Sequence, residues 1–213
     1  MTTLREVQAV GQGEVFRLLA KRNTDIGDRR TQVVCRMHAL LAELAPGRIA
    51  KKINASDVDL AVESLADTRS LDAQLKVSHK RIEIALRVSG TTLTDLFGIG
   101  PIVAAMSIGR TGDIRRFANR DHYAAYNGTA PVEFSSGGRT VHRLSQRGNW
   151  NLNHALHMAA ICQLRQPHSA GRAYFERKVA AGKTKREGTR ALKRQISHAA
   201  YRQLLIDAQR ADH

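Results

Sequence analysis

Apolar residues recur at spacings of three and four through most of the chain, a period typical of helices that bury one face. From Ile26 to Leu44 this pattern predicts a helix that ends at Pro46-Gly47. Ser56 is suited to cap a longer helix that runs to about Val88. Further helices are predicted over residues 119–126, 150–165, 170–181 and 185–208. The expected fold class is all-α.

The first ninety residues are predicted to form long helical arms. A weaker amphipathic pattern runs from about Leu4 to Lys21 and is interrupted by two glycines. Heptad-like spacing in the later helix places four residues on one face, Leu71, Leu75, Ser78 and Ile82. That face fits a coiled-coil arm, and it equally fits packing on the chain's own earlier helices. Because Ser89-Gly90 breaks the pattern, we predict a helical linker or coiled-coil region over residues 1–90 and a compact domain over residues 91–213.

One window, residues 128–148, departs from helical spacing. Apolar and polar residues alternate there with a period of two, on either side of Ser136-Gly137-Gly138. Alternation around a glycine-rich turn is typical of two antiparallel strands. We therefore expect one small β-hairpin inside an otherwise helical domain.

The charge balance points to a polyanionic partner. The chain has 34 Lys and Arg residues against 19 Asp and Glu residues, a formal net charge of +15. Each neutralised phosphate of a nucleic acid releases condensed counterions, so such an excess favours nucleic acid. A membrane surface or an acidic protein is the alternative partner. Aromatic residues make up only 5%, which argues against a platform that stacks single-stranded bases.

The cysteines and the apolar runs favour a cytoplasmic protein. Cys35 and Cys162 have no paired spacing, which indicates neither a zinc site nor a disulfide framework. The first ten residues lack the apolar core of a secretory signal, and no apolar run approaches the length of a membrane span.

The stretch LFGIGPIVAAMSIG predicts a helix-hairpin-helix turn. Gly98 and Gly100 permit a tight turn, and Pro101 is well placed as the first residue of the next helix. Backbone N–H groups at such a helix start can bind a phosphate without reading sequence. The alternative is a glycine-rich turn between two core helices.

The Ser-Gly turn of the predicted hairpin raises the question of a nucleophile. A serine hydroxyl needs a base, a metal or strong charge stabilisation to attack a phosphate. Glycine at position 137 would let a DNA backbone approach closely. Basic residues follow within a dozen positions, namely Arg139, His142, Arg143 and Arg147. From spacing alone, however, a solvated polar turn is the favoured interpretation.

Two more basic stretches are candidate phosphate contacts. Gly148 and Asn149 stand at a predicted helix start directly after Arg147, which is an anion-binding arrangement. Between residues 178 and 195 the basic residues include Lys183, Lys185 and Arg186, which form either a solvated helix face or a nucleic-acid contact. His154 and His157 share a helix face, but no nearby carboxylate or cysteine completes a metal site.

Four stretches, in this order, carry a resemblance to a known family: LFGIGPIVAA, IGRTGDIRRF, YAAYNGTAPVEFSSGGRTVHRLSQRGNWNLNHALHMAA and GRAYFERKVAAGKTKREGTRALKR. The chain resembles the C-terminal part of IS110-type transposases, which are serine recombinases guided to DNA by a structured bridge RNA. In that family the nucleophile belongs to a Pro-x-x-x-x-Ser-Gly motif. The motif fits Pro131 through Gly137, with Ser136 as the attacking residue and Ser135 as its neighbour. The family's basic segment that follows corresponds to Arg143 through Gly148, as a contact to phosphate and guide RNA.

The resemblance also implies a part that this sequence does not match. The family's N-terminal domain is a RuvC-like fold whose Asp and Glu tetrad binds divalent metal. The early carboxylates here, such as Asp25, Asp28, Asp57 and Asp59, do not reproduce that tetrad. We therefore expect no cofactor in this chain, Mg²⁺ only through the missing domain, and little or no activity of the chain alone.

The implied partners are DNA, a structured guide RNA and further copies of the chain. Two other classes stay open. The first is a non-catalytic nucleic-acid-binding module that uses the helix-hairpin-helix turn and basic helices, in a truncated transposon relic. The second is a helical oligomerisation scaffold without nucleic-acid affinity.

Overall fold

A computed structural model describes residues 11–44, 55–136, 139–144 and 148–211. Within these ranges the chain is predominantly helical, which confirms the predicted helical class. The helices are α1 Gln12–Leu44, α2 Ala55–Ser89, α3 Pro101–Thr111, α4 Arg120–Tyr126, α5 Trp150–Arg165, α6 Ala170–Ala180 and α7 Lys185–Ala211. Two strands, β1 Pro131–Ser136 and β2 Arg139–Leu144, lie between α4 and α5. Short 3₁₀ turns occupy Leu93–Asp95 and Ile114–Arg116.

The two arm helices pack against each other along their length. Ile82 and Leu86 near the end of α2 share the core with Phe16 near the start of α1, so the pair runs antiparallel. Farther along the pair, the Arg30 guanidinium binds Asp72 of α2 and holds the pKa of that carboxyl below its usual range. The heptad-like face predicted for α2 is the face that meets α1, since Ser78 and Ile82 are both buried there.

The N-terminal arm is one helix where the sequence predicted two. We expected a break between Lys21 and Ile26, but α1 continues through it. Asn23 and Ile26 are buried, so packing outweighs the weak helix propensity of the polar stretch. An ion pair between Lys21 Nζ and Asp25 Oδ2, at 2.8 Å, also stabilises that turn.

One hydrophobic core joins the start of α1 and the end of α2 to α3, α5 and α7. Its centre is made of small and medium-sized residues on the three later helices, with exposed fractions of 0–2%: Ala104, Ala105, Leu152, Leu156, Ala159, Ala160, Leu192 and Ala200. Small side chains let helix axes approach closely, so these helices form a tight platform below the hairpin. The division of the chain near residue 90 stays a prediction.

No helix in the described ranges has an apolar stretch of the length and low charge that a bilayer crossing requires.

Gly109 is the point at which α3 crosses α1. A Cβ atom added there would lie 2.5 Å from the backbone N of Arg17 and 2.7 Å from its Cα. Both atoms belong to the backbone of α1, so neither can move without shifting that helix. The absence of a side chain at this position therefore sets how closely α1 approaches the core.

Two glycine substitutions in helices should change stability in opposite directions. Gly109→Ala should lower the free energy of unfolding by about 3 kcal/mol, because the added methyl group collides with the α1 backbone. Gly27→Ala is the matched control, since no atom lies within 4 Å of its added Cβ and alanine favours the helix. It should raise stability by about 0.5–1 kcal/mol. Urea unfolding followed by circular dichroism measures both, and equal effects of the two substitutions would contradict this crossing.

Candidate functional site at the base of the hairpin

Strands β1 and β2 pair antiparallel, with Pro131 opposite Leu144 and Ser136 opposite Arg139. Ser136 is thus the last residue of β1, and Arg139 is the first of β2. Further along the register, His142 is opposite Glu133 and Arg143 is opposite Val132. The predicted contacts Gly137 and Arg147 lie outside the described residues.

The two ends of the hairpin meet backbone to backbone. A Cβ atom added to Gly148, just after the hairpin, would lie 2.6 Å from both Cα and N of Gly128, just before it. Gly128 has a φ of 70°, a conformation that side chains disfavour. The N–H of Asn149 then donates to the carbonyl of Tyr126 at 2.7 Å. Both glycines are therefore required for closing the base, and the predicted anion contact of Gly148 stays a prediction.

Asn149 joins this base to helix α5. Its side-chain Oδ1 accepts from the N–H of Leu152 at 3.0 Å, which caps the helix. Its Nδ2 donates to the hydroxyl of Tyr126 at 3.2 Å, and that hydroxyl donates to the carbonyl of Arg110 at 2.8 Å. The start of α5 is thus fixed to α3 and α4 at once.

Asn127 is fully buried and connects the hairpin to α7. Its Nδ2 donates to Ser197 Oγ at 2.7 Å. Its Oδ1 accepts from Thr129 twice, from the N–H at 3.1 Å and from the hydroxyl at 2.6 Å. A buried amide with these partners is costly to replace, because each atom it leaves unpaired loses its hydration without compensation.

Asn153 holds the same segment from the side of α5. Its Nδ2 donates to the carbonyls of Asn127 at 3.0 Å and Gly128 at 2.9 Å. Its Oδ1 accepts from Lys193 Nζ of α7 at 2.6 Å. We call this set of Asn127, Gly128, Asn149, Asn153 and Lys193 the hairpin clamp. It connects the base of the hairpin to both α5 and α7.

A groove of about 290 Å³ opens beside the clamp. Residues 128–131 form one side, and α7 with the segment before it forms the other. The groove contains four cationic side chains, Lys183, Arg190, Lys193 and Arg194, and one carboxylate, Glu187. Burial lowers the pKa of the Lys193 ammonium, and the positive charge of Arg190 lowers it further. This side of the hairpin is therefore strongly basic.

Two of the charged side chains in the groove, Arg194 and Glu187, have hydrogen-bond partners of their own. Arg194 Nη2 lies 3.0 Å from Asp121 Oδ1, and this hydrogen bond lowers the pKa of that carboxyl. Glu187 accepts from the N–H of Thr184 at 2.9 Å and from its hydroxyl at 2.8 Å. Lys185 and Arg186, two of the predicted contacts, are exposed on the first turn of α7.

The predicted glycine turn lies on another side of the domain, against the far half of α5. Gly98 has a φ of 89°, and its added Cβ would lie 2.8 Å from the carbonyl oxygen of Ala159. Gly100 is exposed at the start of α3, and Pro101 is the first residue of that helix. A three-residue 3₁₀ turn precedes the loop, where we expected a helix. Gly98 thus has a packing role, and a phosphate contact at this turn stays a prediction.

Sequence reasoning missed most of the clamp. Asn127, Asn153 and Ser197 were not singled out, although all three form hydrogen bonds at the hairpin base. Arg190 and Lys193 belong to the basic stretch of residues 178–195, but nothing in the sequence assigned them to this groove. A signal was present: asparagine, lysine and serine interrupt the apolar faces of α5 and α7 at positions that helical spacing would bury. Polar residues at such positions indicate a hydrogen-bonded network.

His154 and His157 lie on α5 beside this site. The His154 ring stacks on Trp150 with 5.6 Å between centroids, and Trp150 is 75% exposed. Burial lowers the pKa of His157, and the nearby Lys193 lowers it further. Among the residues that the structure describes, no group of three His, Cys, Asp or Glu side chains is arranged to hold a metal ion.

Comparison with known proteins shows a similarity in the region that contains the hairpin. Residues 90–176, which include α3, α4, the whole hairpin and α5, match the model of the Transposase IS116/IS110/IS902 family. The chain is also similar to a protein of Streptomyces coelicolor (strain ATCC BAA-471 / A3(2) / M145), the "Insertion element IS110 uncharacterized 43.6 kDa protein", with 31% identity over 149 residues. This match covers 65% of the chain and 35% of the relative, so the chain spans well under half of that protein's length. In both comparisons the chain is thus similar to part of an IS110-type insertion-element protein.

Asn153 should be the residue of the clamp whose loss is most damaging. Asn153→Ala removes two donors to backbone carbonyls and the one described acceptor of the buried Lys193 ammonium. We expect the free energy of unfolding to fall by about 3 kcal/mol. Asn151→Ala, also in the first turn of α5, is the control and should change stability by less than about 0.5 kcal/mol. Guanidinium unfolding at pH 7 measures both, and a mild effect at Asn153 would contradict the clamp.

Proposed function

We propose that this chain is part of a DNA transposase that breaks and rejoins DNA through Ser136. The observation that carries the proposal is the transposase family match over residues 90–176, because the matched range contains the complete Pro131–Gly137 motif. The net charge of +15 supports a DNA partner independently of that match. Recombination with a covalent intermediate is the reaction class that such a serine would perform.

The proposed reaction is a transesterification. Ser136 Oγ attacks a DNA phosphorus, a new Oγ–P bond forms, and the bond from phosphorus to one deoxyribose oxygen breaks. The serine gives up its proton, and the released sugar oxygen takes one up. The phosphoserine link conserves the energy of the phosphodiester, so a second sugar hydroxyl can reverse the step and rejoin DNA.

The geometry around Ser136 supports this role. Ser136 ends β1 opposite Arg139 in the strand register, so a basic residue neighbours the proposed nucleophile along the backbone. A cation there would stabilise the negative charge that grows on the phosphate oxygens during attack. The clamp holds the base of the same hairpin to α5 and α7. A nucleophile on a fixed ribbon loses less entropy when the substrate binds.

The hydroxyl must also be activated. Among the described residues, no group of three or more His, Cys, Asp or Glu side chains could hold a metal ion for this purpose. We propose that an acidic, metal-binding RuvC-like domain acts together with this chain, and that the chain alone is weakly active or inactive.

The wider set of contacts follows from the same proposal. We propose that His142, Arg143, Arg147 and the basic start of α7 contact phosphates, and that a structured guide RNA selects the DNA sequence. We also propose that the chain works as a homo-oligomer, since rejoining exchanged ends requires two nucleophiles. In the non-catalytic alternative, the same residues contact nucleic acid but Ser136 does not attack it.

A covalent adduct tests the proposed nucleophile. The chain is incubated with nicked DNA, Mg²⁺ and a supplied RuvC-like domain, and the products are separated on a denaturing gel. We expect a protein–DNA adduct that Ser136→Ala abolishes and that is strongly reduced without the added domain. Ser135→Ala is the matched control, because it removes the neighbouring hydroxyl and should leave the adduct.

The same experiment separates the two candidate functions. If the adduct depends on Ser135 instead, the proposed assignment of the attack to Ser136 is wrong. If no Ser136-dependent adduct forms with the supplied domain while the DNA is still bound, the catalytic proposal fails and the non-catalytic binding module is favoured.

A further inference from the structure

The hairpin clamp contains a buried positive charge with little compensation. Lys193 is only 7% exposed, and its ammonium group has three N–H donors. Within the described ranges it has one hydrogen-bond partner, the neutral Oδ1 of Asn153 at 2.6 Å, and it forms no ion pair. Burying an ammonium without a counter-charge is unfavourable, so an anion in the adjoining groove would stabilise its charged form.

The surroundings of Lys193 add positive charge on the side that faces the groove. Arg190, Lys193 and Arg194 follow one another at helical spacing on α7 and all line the same 290 Å³ groove, and Lys183 lines it too. The one carboxylate in the lining, Glu187, accepts two hydrogen bonds from Thr184 and forms no ion pair with Lys193 in the described structure. Arg194 is engaged with Asp121. The hydrogen bonds from Thr184 lower the pKa of the Glu187 carboxyl, and the positive charges of Lys183 and Arg190 beside it lower that pKa further. Lys193 is therefore the groove cation without a carboxylate partner in the described structure.

We infer that this groove binds a phosphate of the DNA backbone, with Lys193 as its buried ligand and with Arg190 and Lys183 beside it. The inference rests on the proposed function for the identity of the anion as DNA. The groove is formed by residues 128–131, which lead directly into the strand that ends at Ser136. A phosphate bound here positions the DNA strand relative to the serine ribbon.

Binding of an anion explains why a lysine occupies this buried position. The hydrogen bond to Asn153 alone would be made equally well by a neutral donor, without the cost of burying charge. Burial and Arg190 both lower the pKa of Lys193, which means that the protein surroundings alone disfavour the charged form. A phosphate removes that penalty, so binding and protonation of Lys193 reinforce each other.

Thermal unfolding with inorganic phosphate tests the groove without DNA. The probe is sodium phosphate, compared with sodium chloride at the same pH and ionic strength. At a phosphate concentration ten times the dissociation constant, the melting temperature of the wild type should rise by about 3–5 °C. Lys193→Met should abolish this rise. Lys80→Met removes an exposed lysine of α2 and should keep it.

A second groove variant keeps the test decisive if Lys193→Met does not fold. Arg190→Met removes a half-buried groove cation that makes no hydrogen bond in the clamp among the described contacts, so it is expected to fold. It should reduce the phosphate-dependent rise by at least half. If Lys193→Met does not fold, Arg190→Met decides the result. A full phosphate response in Arg190→Met, or in a folded Lys193→Met, overturns the inference.

Fluorescence anisotropy with a labelled DNA duplex tests the source of the phosphate. Lys193→Met should weaken binding about tenfold and reduce the slope of log K against log salt by about one. Lys80→Met should do neither. The same measurement is made with an RNA duplex of the same sequence. If only RNA binding depends on Lys193, the assignment to DNA is wrong.

These outcomes separate this inference from the proposed function. If the wild type binds no DNA but inorganic phosphate stabilises it through Lys193, the groove is a phosphate site and the transposase proposal fails. If the wild type binds DNA and neither DNA nor phosphate depends on Lys193, the groove inference fails and the transposase proposal stands.

Discussion

The hydrogen bonds that Asn153 makes to the carbonyls of Asn127 and Gly128 are the constraint on which the site depends. A two-stranded ribbon is marginally stable alone, because it has no second layer to bury its faces. Here its base is held by side chains from α5 and α7, two helices of the central core. The position of Ser136 is therefore set by the helical platform, through bonds some distance from the serine itself.

The platform, in turn, depends on close approach between helices. Gly109 lets α1 contact the backbone of α3, and Gly98 lets the preceding loop contact α5. Alanines fill the centre of the core, where larger side chains would separate the helices. Tight packing of this kind leaves little room for larger side chains at these crossings, so the positions of α1, α3 and α5 relative to one another depend on the small residues between them.

The sequence predicted the helices well and the clamp poorly, for a physical reason. Apolar spacing and caps are local signals, and Asn119 and Asn149 cap α4 and α5 as local geometry requires. The clamp joins residues far apart in sequence, such as Asn127 and Ser197, and no local pattern pairs them. The prediction for the polar stretch after Lys21 was wrong for a similar reason, because the burial of Asn23 and Ile26 outweighs the weak helix propensity of that stretch. Ser136 was singled out by its motif and its resemblance, and spacing alone favoured a polar turn.

The contact between Gly128 and Gly148 bears on how the hairpin can change in length. The backbone just before the hairpin touches the backbone just after it, so the two ends of this loop are held together at its base. The entropy cost of lengthening such a loop grows only slowly with the number of residues. A change in the number of residues between the two glycines therefore costs little entropy and leaves the bonds that hold the base to the helices in place.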